Sequence, residues 1–184
     1  MGEMPENRRR EAFPGSADTG GGHHEVGRRE AGDHGDTSGA GDGRPFVHRL
    51  RVRYQETDQM GVVHHANYVT WFEEARTAWI RSLGYSYRRL EEEGLRLPVL
   101  EIAAQYGSPA KYEDEVDVEV RLTACTPVRI GFSYTVRRVP DGRVLASGES
   151  RHAWVDPDFK PVRLDRAKPD LYRLLSSRVP AASG

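Results

Sequence analysis

Between Tyr54 and Tyr68 the chain gathers an acid, a phenol and two imidazoles around one glycine: Tyr54-Gln55-Glu56-Thr57-Asp58-Gln59-Met60-Gly61-Val62-Val63-His64-His65-Ala66-Asn67-Tyr68. Tyr54 stands four residues before Asp58 and His65 seven after it. A carboxylate with a phenol and an imidazole nearby can act as a general base or as a nucleophile, with the other two orienting it. Asp58 lacks the serine or cysteine neighbour of an acyl-enzyme triad, which leaves water activation or direct attack by the carboxylate. The same residues also allow a plain turn, Thr57 to Gly61, in which Asp58 accepts from backbone amides. His64 and His65 equally allow one ring toward solvent and one toward a carbonyl. As a metal site the cluster is poor, because adjacent histidines seldom converge on one ion and no third ligand accompanies them.

Such a loop needs rigid neighbours. Tyr68, Phe72, Ala75, Trp79 and Leu83 recur at spacings of four and three, which places them on one helical face, and Trp71, Ala78 and Ile80 widen it. This predicts a long, deeply buried helix, capped by Asn67 and stopped by a left-handed Gly84. Its unpaired amides and positive dipole end fall near Val63 to His65, so Gly61, Val63 and His64 are the expected oxyanion and substrate contacts.

Before the loop, Leu50, Val52 and Tyr54 alternate with Arg49, Arg51 and Arg53, a half-buried strand from Val47 to Tyr54. After the long helix, Ser86 caps a short helical stretch to Glu93, closed by Gly94 and Pro98. Alternation then returns at Leu100 to Tyr106, Val116 to Leu122, Ile130 to Val136 and Val144 to Val155. A hairpin turn is expected at Val139-Pro140-Asp141-Gly142-Arg143, a bulge at Gly148, and a last helical turn around Leu171, Leu174 and Leu175. Strand, long helix, then four or more strands is the order of an α+β fold, with one antiparallel sheet wrapped around one central helix. One helix leaves much of such a sheet uncovered, and apolar residues such as Val144 and Val155 face away from each other. Edge pairing between two copies, a homodimer at least, is therefore expected.

The bulk numbers narrow the class. A formal net charge of -1 gives no basic field for nucleic acid, and no apolar run approaches the roughly 20 residues that span a bilayer. Residues 1–44 hold eleven of the 19 glycines and, as larger apolar side chains, only Met1, Met4, Phe13 and Val26. They are expected to be a disordered tail, ahead of a single domain over 45–178 and a disordered end over 179–184. The arginine-rich start has no apolar core of a secretory signal, and Glu3, Glu6, Glu11 and Asp18 argue against an organelle-targeting peptide. His23, His24 and His34 lie scattered in that tail without the spacing of a zinc site. The one cysteine, Cys125, excludes an internal disulfide and fits a reducing cytoplasm.

The run Tyr54-x-x-Thr57-Asp58-x-x-Gly61-Val62-Val63-x-His65-x-x-Tyr68, followed by Phe72-Glu73-x-Ala75-Arg76, resembles the signature of the hotdog-fold acyl-CoA thioesterases. The branch is that of 4-hydroxybenzoyl-CoA thioesterase and the Tol-Pal-associated YbgC-type enzymes. Tyr106-x-x-Pro109-Ala110-Lys111-x-x-Asp114 resembles the second motif of that branch, and the similarity extends over about residues 46–176. It implies a homodimer or homotetramer with the site at the subunit interface. It also implies an acyl-CoA or acyl-carrier thioester as substrate, no cofactor or metal, and Asp58 as the catalytic carboxylate with Tyr54 and His65 hydrogen-bonded around it. Another branch carries its acid on the long helix, which makes Glu73 a rival; otherwise Glu73 reads as a surface partner of Arg76 or Thr77. Lys111, Arg129, Arg137 and Arg138 are candidates for the phosphates of coenzyme A, although surface arginines are mostly just solvated. Two other functions fit the same residues: hydration of an enoyl thioester, and non-catalytic binding of an acyl-CoA or a protein.

Overall fold

Period-two burial builds the sheet. In the computed structural model, which describes residues 44–180, five strands form one antiparallel sheet: β1 (Phe46–Arg51), β2 (Val99–Tyr106), β3 (Glu115–Cys125), β4 (Arg129–Arg138) and β5 (Val144–Ala153), in the order β1-β3-β4-β5-β2. Val118 lies opposite Val136, Val120 opposite Tyr134 and Leu122 opposite Phe132. All six are buried, so the cross-strand pairs join into one apolar face.

Helix α1 (His65–Ser82) lies on that face, with Trp71, Phe72, Ala75, Trp79 and Ile80 buried. Phe72 stacks on Tyr134 at 4.5 Å, and Trp79 meets Phe132 edge-on at 5.3 Å. Three short helices complete the described residues: α2 (Tyr87–Glu92), α3 (Leu164–Ala167) and α4 (Pro169–Ser176). Ser86 caps α2 by accepting from the Arg89 amide, and Gly84, Gly94 and Gly142 supply the left-handed turns expected of them. This is the α+β hotdog arrangement. The tail expected over 1–44 and the end expected over 179–184 lie outside the described residues, apart from Arg44, Val179 and Pro180; Val179 packs against the core.

Three local expectations are corrected. The first strand stops at Arg51, and Tyr54 begins a single 3-10 turn with its side chain 77% exposed. The Glu56 carboxylate accepts from the Arg53 amide at 2.7 Å and bends the chain out of the sheet there. Helix α1 starts three residues earlier than an Asn67 cap would allow. His64 is the cap, its Nδ1 accepting from the Ala66 amide at 3.3 Å, and Asn67 instead donates from Nδ2 to the Glu56 carbonyl at 2.7 Å. Gly148 is not a bulge, since it pairs in register with both Ala104 and Tyr134. It is a point of close approach: a Cβ there would sit 2.5 Å from Phe72 Cε2 and 2.6 Å from the Ala103 carbonyl oxygen. Val144 is exposed while Val155 is buried, bridged to Arg96 and Pro161, and further exposed apolar side chains lie on the edge strand β2, at Val99, Leu100, Ile102 and Tyr106.

The core also encloses a polar cluster. Arg76 of α1 turns inward rather than pairing with the exposed Glu73, and its Nη1 lies 2.5 Å from Nε2 of His152. Ser150 Oγ links the same ring nitrogen, at 2.8 Å, to the Tyr134 hydroxyl at 2.7 Å. Burial first, and then the adjacent Arg76 charge, pull the His152 imidazole down to about 4, so it is neutral at pH 7.

Candidate active site

The loop from Thr57 to Val63 closes on itself before it meets α1. Thr57 bridges Val63, the Asp58 amide donates to Val62 O at 2.9 Å, and the Gly61 amide donates to Asp58 O at 2.9 Å. Gly61 sits at φ +72°, a conformation that favours glycine. The Met60 amide donates to Asp58 Oδ1 at 2.8 Å. Asp58 thus makes the backbone bond of the plain-turn reading. Among the described residues no hydrogen bond reaches its second oxygen, and the side chain lines a cleft of about 320 Å³.

The cleft is lined by Asp58, Met60, Val63, His65 and Tyr68 from the loop and α1, and by Tyr106, Gly107, Ser108 and Pro109 from the end of β2 and just beyond it. The two sides are stitched together. The Tyr106 hydroxyl donates to the His65 carbonyl at 3.1 Å, and the Ala110 amide donates to Tyr68 Oη at 3.1 Å. The Val63 amide donates to Ala110 O at 2.9 Å, and the Tyr68 and Tyr106 rings meet edge-on at 5.3 Å. Burial pushes the Tyr68 phenol up, so it stays protonated.

The structure brings Asp58 and His65 into the same cleft. It does not bring Tyr54 there: that ring stands edge-on to Tyr112 at 5.6 Å, and its hydroxyl makes no bond to Asp58. His64 is spent on capping α1, with its ring 4.1 Å from that of His65. The amides expected to face the substrate are also committed. Those of Gly61, Val63 and His64 donate to Asp58 O, Ala110 O and Glu56 O. The His65 amide, at the first position of α1, has no such partner among the described residues. Tyr68 and Tyr106 line the cleft although the sequence singled out neither as a site residue; Tyr106 was visible only as the first residue of the second motif. Of the basic candidates, Arg137 is paired with Glu119 and Arg138 with Asp141, whereas Lys111 and Arg129 are exposed and form no ion pair among the described residues. No group of three or more metal-ligating side chains that could hold an ion occurs among the described residues.

Comparison with known proteins gives the family. The pattern of the thioesterase-like superfamily matches residues 52–173, and the chain belongs to that superfamily. YneP of Bacillus subtilis is 37% identical over 122 residues, which cover 66% of this chain and 88% of YneP. The acyl-CoA thioesterase YbgC of Haemophilus influenzae is 36% identical over 119 residues, 64% of this chain and 86% of that one. A solved structure of a DHNA-CoA thioesterase from Staphylococcus aureus superposes with a TM-score of 0.68 at 34% identity, over 71% of this chain and 87% of the other.

Proposed function

We propose that this chain hydrolyses the thioester of an acyl-CoA to free acid and thiol, with Asp58 as the general base or nucleophile. One observation carries the reading. The Asp58 carboxylate lines a cleft beside the first turn of α1, where the His65 amide is uncommitted. The relative named acyl-CoA thioesterase supports the substrate class. Asp58 takes a proton from water as the water oxygen adds to the carbonyl carbon, or adds to that carbon itself and is later freed by water. In both routes the carbonyl oxygen becomes negative, and a helix-start amide is the donor placed for it. A positioned base contributes roughly 100-fold to 10,000-fold, and one such donor about 100-fold to 1,000-fold. The thiolate departs with little acid assistance, so no cofactor is called for beyond the coenzyme A thioester itself. His65 orients the carboxylate or the water.

The working unit is a homo-oligomer joined through the open β2 edge, where Tyr106 belongs both to the edge and to the cleft. A single free cysteine supports action in a reducing cytoplasm. The test is release of free thiol from a panel of short, long and aromatic acyl-CoAs, followed with a thiol reagent. Hydrolysis supports the reading. Water addition to an enoyl-CoA without thiol, or tight binding without either reaction, contradicts it.

A further inference from the structure

Two residues before Asp58, a second carboxylate is almost wholly buried: Glu56 is 3% exposed. It accepts five hydrogen bonds. Its Oε1 takes Trp71 Nε1–H at 3.0 Å and Arg53 Nη2–H at 2.9 Å, and its Oε2 takes the Arg53 amide at 2.7 Å. Its main-chain oxygen takes the His64 amide at 2.9 Å and Asn67 Nδ2–H at 2.7 Å. The donors come from the entry to the site loop, its exit, and the first two turns of α1. Trp71 is fully buried against the sheet, so its indole N–H is a fixed point. Capping the 3-10 turn would need only the Arg53 amide. It would not require an indole from another element or burial of the charge, which is costly unless every lone pair is used.

We propose that Glu56 is the positioning residue of this site: clamped to Trp71, it fixes the Asp58 loop at a set distance from the first turn of α1. The proposal rests on Asp58 carrying the chemistry. Glu56→Gln preserves size but turns one acceptor into a donor, facing either the indole N–H or the Arg53 amide, so the loop must shift. A displacement of about 1 Å lowers turnover on the order of 100-fold.

The test uses the full chain and an acyl-CoA that the wild type turns over. Glu56→Gln is expected to lower kcat roughly 10-fold to 100-fold with KM nearly unchanged, measured well below its unfolding temperature. In an Asp58→Asn background the same change should have little further effect on rate, because it acts through Asp58, while its loss of thermal stability remains. Trp71→Phe keeps an aromatic ring but loses the N–H donor with the five-membered part of the indole, and should lower kcat several-fold; it supplies the answer if Glu56→Gln does not fold. A wild-type kcat in Glu56→Gln, a loss confined to KM, or a full additive loss on top of Asp58→Asn overturns the positioning role while leaving the hydrolase reading intact. Full turnover in Asp58→Asn overturns both.

Discussion

His152 gathers Arg76, Ser150 and Tyr134 around a neutral imidazole inside an apolar core. That arrangement has a pH signature. An unfolded histidine takes up a proton near 6.5, but His152 in the folded chain does so only at about 4. Between those values the unfolded chain binds a proton that the folded chain refuses. Stability should therefore be full above about 6.5, fall as the pH drops toward about 4, and stop changing through this group below that. The total loss is up to about 3 kcal/mol. Urea unfolding between pH 7 and 5 checks it, a window in which Glu56 stays ionised. Burial would raise that carboxylate, but its hydrogen bonds with Arg53 and Trp71 outweigh burial and hold it below the usual range. His152→Gln should flatten the slope, and an unchanged slope in that variant would remove His152 as its source.

At the level of elements, helix and sheet approach closely where Phe72 crosses Gly148. Gly148→Ala forces either the ring or the Ala103 carbonyl to move, an overpacking penalty of about 1–3 kcal/mol. Its midpoint of thermal unfolding should fall by several degrees, and a wild-type midpoint would show that the contact yields freely. The sequence pattern alone suggested a bulge at Gly148, because a missing side chain within a strand looks the same whether the chain kinks or another element approaches. Periodicity does report which face of α1, β3 and β4 is buried, and those elements were legible down to their core residues. It does not report competition for hydrogen bonds. Alternation runs on through Tyr54, but the Glu56 carboxylate takes the Arg53 amide and ends the strand. Asn67 is a better cap by residue type, but an imidazole three residues earlier takes the role. At the site, Asp58 and His65 were readable because they lie close together in the chain. Tyr68 joins Tyr106 only through the fold, and Trp71 reaches Glu56 across fifteen residues that carry no pattern linking an indole to a carboxylate.

For the whole molecule, the proposed assembly turns on β2. It is the sheet edge beside β5, its outer side is unpaired among the described residues, and its apolar residues Val99, Leu100, Ile102 and Tyr106 are exposed. Light scattering on the full chain at micromolar concentration should give a mass of two chains or four, and Ile102→Lys should shift it toward one; a wild-type mass of one chain would contradict the pairing. The central claim, that the Asp58 carboxylate drives hydrolysis of an acyl-CoA thioester, is tested most directly by thiol release from Asp58→Asn beside the wild type. The account predicts a folded variant of unchanged oligomeric mass whose kcat is lower by at least about 100-fold. Thiol release at the wild-type rate from that variant would contradict it.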